Sequence, residues 1–540
     1  MTVAHSVADV LSSHVKLELE CIDRMYLNVY VPQLQYDKGV VSFFRFHRGH
    51  TFASSVLMKP ISEDFVARLE RFARERDIPL ISFGKGQRKD EVAKEYLAAF
   101  KGSEGIVFIG KAQEKAPVFR TEKRRDPKTG RTFPWIVRTT AMVNQYYCYG
   151  VDEDFGPFFL KFCSYFPYNA KLYLNGHEYL KRQLTQHGIA FEALDNGILC
   201  CEDPKAMQGL ADRLTSAKID ALLRKWLKVL PHPFTGKDRA AGYRYDISIL
   251  QSEFALTQVL DQPINGRIFF EQVIRENLDI GRPDQVQLIF DRRITRRTPG
   301  RCRTRVITEG VTPSLYVDYK RNRTKQYHKD GGDKVGRALR TETTINNTYD
   351  FRIGRRLENL AKLKEVGFAT NRRLLRTQQV SHDCTVGEND FRKLQSPVID
   401  NSKRAAALRF GDPRVLALFQ VLVLFCLLPE GFRNRDLREH YARLLGLDPT
   451  ALTQGQMTYQ LRRLLMHGLI ERIPRTHCYR LTDFGLRTAL FLSRLYARTI
   501  RPGLSLLHPK DLPPDHRLQR AFNSVEDEIE RFCAEEKLAA

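Results

Sequence analysis

A multidomain α+β protein is what the sequence predicts, on three observations. At 540 residues the chain has length for about three domains of ordinary size. A composition that is 42% hydrophobic and 28% charged is that of a chain burying real cores. Strand-like runs of period two and helical runs of period 3.6 also alternate along its first part, while positive charge gathers further on. The formal charge of +24 with a pI near 9.6 points to an acidic partner, because such a field steers association with polyanions.

Residues 1–225 read as a mixed α/β domain, from YLNVYV through the helical EDFVARLERFARERD to IPLISF and GIVFIG. A basic hairpin is expected where FRTEKRR and TFPWIVRTTAMV flank DPKTGR, since Asp126-Pro127 and Thr129-Gly130 supply turn chemistry. Twelve aromatics follow in the thirty-five residues Tyr146–Leu180, enough to stack unpaired bases. The spacing of Phe158, Phe159 and Phe162 instead predicts a core-facing helix there. His47, His50 and His177-Glu178 lack a third partner at a recognisable spacing, so no metal ligand is assigned. Residues 226–281 read as a helical connector opened by Pro231-His232-Pro233.

Residues 282–400 form the expected basic central domain. Between Arg282 and Arg376, eighteen Arg and six Lys stand against ten Asp and Glu, more excess charge than a solvated face needs. The candidate phosphate contacts are Arg292, Arg293, Arg296, Arg297, Arg301, Arg303, Lys320, Arg321, Arg323 and Lys325. Three strand-like runs carry carboxylates at Asp291, Asp318 and Glu342, and alternation places the last two on one face if their strands pair. Such acids either hold Mg²⁺ against a phosphate, with Tyr319 or Tyr327 as a nucleophile, or pair with the arginines to hold the sheet. The run KQYHKDGGDKVGRALRTETTIN, with K-x-Y-x-K before L-R-x-E, resembles the hairpin of replication initiators of filamentous phages and small plasmids over residues 325–346. The metal-binding histidine motif of that family has no counterpart here, so the resemblance implies DNA association rather than nicking.

Residues 412–500 predict three helices, a strand–turn–strand insert and a fourth helix. Asp412-Pro413 opens the apolar Val415–Leu428, Asn434 caps a second helix, Thr453 caps a third, and Gly468 ends it. The phrase GLIERIPRTHCYRLTDFG, with G-L-I-x-R before a wing and Y-x-L-T-x-x-G after it, resembles the winged helix-turn-helix of MarR-like regulators and plasmid initiators. That resemblance implies a third helix in the major groove and a wing on the backbone. The outward-facing candidates are Gln456, Tyr459, Gln460, Arg463 and His467 on the helix, with Arg472, Arg475 and His477 in the wing. The tail, 501–540, carries the acidic amphipathic SVEDEIERFCAEEKL, suited to covering a basic face or pairing with a second copy in a homodimer.

These readings predict a nucleic-acid-binding protein, DNA ahead of RNA, of regulatory or plasmid/phage replication type. The alternatives are a mobile-element nuclease or strand-transfer enzyme using Mg²⁺ or a tyrosine, and an RNA-binding protein using the aromatic N-terminal half. No cofactor is expected outside the nuclease alternative. Ten cysteines without a CxxC pair, no secretory pattern at the start, and a longest apolar run of fourteen residues predict a cytoplasmic chain off the membrane.

Overall fold

The structure, a computed structural model, describes residues 6–500 apart from 85, 126, 128–129, 195, 278–301, 310–311, 332–333, 383, 385, 401–402 and 429–430, together with 524–525, 527–528 and 531. The chain divides into two compact units, Met1–Ile274 with Pro283–Leu375, and Arg275–Arg282 with Arg376–Ala540. Among the described residues no helix is long and apolar enough to cross a membrane.

The first unit is organised by one long sheet. Its strands are β1 (Val15–Tyr30), β2 (Leu80–Ser82), β3 (Gly105–Arg125), β4 (Thr132–Asp152), β5 (Gly156–Cys163) and β6 (Ala170–Asn175), with β9 (Asp246–Leu260), β10 (Cys302–Glu309), β11 (Thr312–Tyr319), β12 (Asn322–Gly331) and β13 (Lys334–Ile345). The intervening β7 (Phe191–Leu194) and β8 (Gly197–Cys201) make a separate hairpin. The eleven strands lie in the order β10-β11-β12-β13-β9-β1-β6-β5-β4-β3-β2. Every neighbouring pair is antiparallel except β2 and β3.

Alternation sorts the two faces of this sheet. Leu27 and Val29 of β1, Phe158, Leu160 and Phe162 of β5, and Leu172 and Leu174 of β6 share one buried core. The helix Ser55–Glu75 supplies Phe65, Leu69 and Phe72 to that core, and the helix Ser216–Val229 supplies Ile219, Leu222, Leu223 and Trp226. Each such side chain stabilises the unit by roughly 1.5–3 kcal/mol on burial.

Two expectations need correcting here. Phe158, Phe159 and Phe162 stand on β5, not on a helix. Their spacing fits both periods, and Phe158 and Phe162 enter the core while Phe159 lies on the other face. The segment expected as a helical connector contributes β9, which pairs with β1 on one side and β13 on the other. Residues read as N-terminal, connecting and central domains therefore build one sheet. Ser252, Thr257 and Gln258 are buried within β9 and break up its apolar pattern, which hid the strand.

In the second unit the helix Pro413–Phe425 is buried nearly all round, and the helices Asn434–Leu444, Gln454–Met466 and Asp483–Leu495 accompany it, with the strands Ile470–Arg472 and Tyr479–Leu481 paired between the last two. Asn434 is the first residue of its helix rather than the cap. Asp436 Oδ2 accepts from the Arg433 N–H at 3.0 Å and does that work. The Asn434 amide instead donates to the Gln454 carbonyl (3.2 Å) and Thr458 Oγ1 (3.0 Å), tying the second helix to the third.

Candidate nucleic-acid interface

Of the basic residues expected to meet phosphates, Arg292, Arg293, Arg296, Arg297 and Arg301 lie outside the described residues, as do Asp291 and most of the acidic tail. Arg303 falls on β10 opposite Asp318. Asp318 accepts from Arg323 Nε at 2.5 Å. Glu342 ion-pairs with Arg340 Nε at 2.5 Å and accepts from the Tyr327 hydroxyl at 2.9 Å. The register puts Asp318 in a row with Arg323 and Thr344, and Glu342 in the next alternate row with Lys325 and Tyr316. The two acids share a face, as alternation predicts, but β12 separates them, so their Cα atoms stand roughly 12 Å apart.

Each acid has its own arginine, and among the described residues no group of three or more His, Cys, Asp or Glu side chains is placed to hold a metal ion. Burial, then the Glu342 charge, pushes the Tyr327 hydroxyl well above its ordinary value, so it stays protonated and donates to Glu342. Tyr319 packs its ring on Phe351 at 5.6 Å. Lys320, at positive φ, and Arg321 turn the chain between β11 and β12 and are exposed, while Lys325 lies over the Tyr327 ring at 4.2 Å.

A functional group missed by sequence reasoning is Arg340, which is fully buried. Its NH2 nitrogen donates to Asp23 Oδ2 at 2.8 Å and lies 2.8 Å from His177 Nε2, and NH1 meets the Asn196 carbonyl. Asn196 in turn donates to Asp23 Oδ1 at 2.6 Å. Burial raises the Asp23 carboxyl, but Arg340 and His177 outweigh it and hold the group below its ordinary value. Two of the three histidines weighed as metal ligands are absorbed similarly, while His50 is exposed. His177 faces Arg340, and His47 Nε2 sits 2.8 Å from Asp238 Oδ1.

On the sheet face opposite the core, Tyr26, Tyr147, Tyr149, Phe159 and Tyr173 line a cavity of about 710 Å³ beneath the helix Lys89–Ala99. The Phe159 and Tyr173 rings lie 5.0 Å apart at 7°. Glu114 accepts from Lys89, Lys161 and Tyr147 at the edge of these rings. Burial raises its carboxyl, yet those three donors bring it down to about 2. The aromatic run of the sequence thus divides by strand alternation, one set into the core and one onto this face.

In the second unit, Thr453 and Gln456 form a reciprocal cap at the start of the helix Gln454–Met466: the Gln456 N–H donates to Thr453 Oγ1 (3.2 Å) and the Thr453 N–H to Gln456 Oε1 (2.8 Å). The next turns expose Thr458, Tyr459, Arg462 and Leu465, with the Arg462 guanidinium over the Tyr459 ring at 5.6 Å. Arg463 and His467 were expected on this outward face and are not on it. Each is 8% exposed. Arg463 donates to the Ala406 carbonyl (2.9 Å) and to that of Ala407, and His467 Nε2 lies 3.0 Å from the Ala406 carbonyl. The reason is tertiary: Arg463 follows Tyr459 by four residues and so flanks the exposed stripe, but the segment at Ala406–Ala407 covers that flank and takes up Arg463 and, one turn on, His467. Gln460, half-buried, is within 3.4 Å of Arg463 NH1.

The phrase that carried the family resemblance has a physical basis. Gly468 takes φ +71 to end the helix, and Thr482 joins the strands to the last helix, its hydroxyl donating to the Gly468 carbonyl (2.7 Å) and accepting from the Gly485 N–H (3.0 Å). A Cβ on Gly485 would stand 1.8 Å from the Leu469 carbonyl oxygen, so only glycine fits. The hairpin exposes Arg472, Arg475, His477 and Arg480. Arg472 Nε donates to the Thr476 carbonyl at 2.9 Å, Arg480 pairs with Glu471 at 2.5 Å, and Arg475 turns at φ +58. No family model, curated protein or solved structure matches the chain.

Proposed function

We propose that the chain binds nucleic acid, duplex DNA foremost, through the exposed face of the helix Gln454–Met466 and the hairpin after it, as a winged helix-turn-helix does. The observation that carries this reading is an exposed helix without a single carboxylate, locked to the preceding helix through Asn434 and followed at once by a two-stranded hairpin with four exposed basic groups. Tyr459 and Arg462 are the side chains we assign to base edges, because a guanidinium fork matches guanine O6 and N7. Arg472 and Arg475 are assigned to backbone phosphates. The regulatory or replication setting rests on the resemblance of this segment to MarR-like regulators and plasmid initiators.

Competition gel shifts on a preferred duplex, selected by the wild type from a random pool, test it. Tyr459→Ala combined with Arg462→Ala should lower affinity at least tenfold with the fold intact, and an unchanged affinity would remove the proposal. A second reading, single-stranded nucleic acid on the sheet face, is supported by the near-parallel Phe159 and Tyr173 rings beside Lys161 and Lys171. Phe159→Ala should then weaken single strands and spare duplex, and equal affinities for the variant and wild type on single strands would dismiss that reading.

A further inference from the structure

A second cavity in the first unit, also about 710 Å³, differs from the aromatic one in its charge. Arg68, Arg224, Lys228, Arg239, Arg244 and His232 line it, and no carboxylate does. Two of these cations are offset from outside the lining, Arg68 by Asp64 at 2.8 Å and Arg224 by Asp220 at 3.0 Å. The Asp238 carboxylate nearby is spent on His47, Arg48 and Thr235. A positive excess is therefore built into the walls.

The guanidiniums are held in place before any ligand arrives. Arg224 NH1 donates to the Tyr245 carbonyl (2.7 Å), Arg239 NH1 to the Phe234 carbonyl (2.9 Å) and toward His232 Nε2 (3.0 Å), and Arg244 Nε to the Arg239 carbonyl (2.7 Å). A guanidinium has five N–H groups, so each of these arginines keeps donors beyond the ones fixing it. Burial, then the charges of Arg239 and Arg68, brings the His232 imidazole down to about 4, so it stays neutral and presents an acceptor to Arg239. Like charges crowded around a cavity repel one another, and a multiply charged anion relieves that repulsion.

We infer that this cavity is a binding site for phosphate groups. Several fixed guanidinium forks suit the many oxygens of a phosphate or diphosphate better than one carboxylate, and the volume lies within the ordinary range for small-ligand sites. The phosphate has two sources with the same chemistry, a free phosphorylated molecule or the backbone of the bound nucleic acid, and the latter rests on the proposed function above.

The test uses the full chain with two probes, inorganic pyrophosphate by calorimetry and a duplex by fluorescence anisotropy at several salt concentrations. The variant is Arg239→Gln with Arg244→Gln, both exposed, and the control is Arg88→Gln with Arg120→Gln, exposed elsewhere on the unit. Pyrophosphate binding weakened at least tenfold by the first pair and not by the control supports the site with a free phosphate as source. A duplex affinity that falls with the first pair, with a salt slope shallower by about two, supports it with the nucleic-acid backbone as source. Pyrophosphate and duplex binding that are both unaltered by the first pair overturn the inference. Because Tyr459 and Arg462 are tested separately, failure here and failure of the helix–hairpin reading give different results.

Discussion

The strands β10–β13 and the helix–hairpin segment from Gln454 to Leu481 are both rich in arginine, and they use it in opposite ways. On the strands Arg323 is matched to Asp318, and Arg340 is sealed among Asp23, His177 and Glu342. In the helix–hairpin Arg462 and Arg475 reach solvent, and only Glu471 offsets a cation. Density of positive charge therefore does not distinguish a groove for a polyanion from a sheet held by ion pairs. What distinguishes them is whether a carboxylate shares the face, because a paired acid neutralises locally and would repel the phosphates that its arginine attracts. The adjacent Arg462 and Arg463 add a second contrast within one helix, the first open to solvent and the second held by backbone carbonyls.

Four substitutions test this division between buried and exposed charge. The largest effect is expected at Arg340. Replacing it with Met takes the buried cation from Asp23 and Glu342 and leaves Asp23 with Asn196 and the more distant Arg24, so urea denaturation should show the first unit losing about 3–5 kcal/mol. Retained stability with weakened DNA binding would put Arg340 in the other class. Glu253 comes next. Burial, then the Asp23 charge, raises its carboxyl to about 7 from 4.5. A carboxyl raised on folding costs nothing below the unfolded value, and stability is lost as pH climbs through about 7. Glu253→Gln should recover up to about 3 kcal/mol at pH 8 relative to wild type and nothing at pH 4, read by thermal melts across that range. A constant difference at all pH values would contradict the shift.

Arg463→Ala should destabilise the second unit by about 1–3 kcal/mol, because the Ala406 and Ala407 carbonyls lose their donor. Chemical denaturation followed by fluorescence checks it, and a neutral result would return Arg463 to the exposed face. The smallest stability change belongs to Arg462→Ala, within about 0.5 kcal/mol, while its effect on a preferred duplex should reach about 1–3 kcal/mol. A loss of more than about 1 kcal/mol in stability with unchanged duplex affinity would reverse the roles of the two neighbours.

Much of this was legible in the sequence where signals are local. The helix Pro413–Phe425, the pairing of β3 with β4, the Thr453 cap and the break at Gly468 all follow from short-range chemistry. What could not be read depends on distant partners. Residues Asp246–Leu260 became a central strand because β1 and β13 pair with them, and Asp23 meets Arg340 across more than three hundred positions. Arg463 was misplaced because helical spacing gives a stripe but not which stripe faces inward, which the segment around Ala406 decides. Arg462 was passed over for the same reason, although its position three residues after Tyr459 puts both on one face.

The most direct test of whether exposed rather than paired arginines meet the nucleic acid is the salt dependence of duplex binding by three forms of the full chain: wild type, Arg462→Gln with Arg475→Gln, and Arg323→Gln. Each phosphate contact contributes about −0.9 to the slope of log K against log salt. The account predicts that the Arg462/Arg475 pair lowers affinity at low salt and makes the slope shallower by one to about two, while Arg323→Gln leaves both affinity and slope as in wild type. A slope and affinity changed by Arg323→Gln and untouched by the Arg462/Arg475 pair would contradict it.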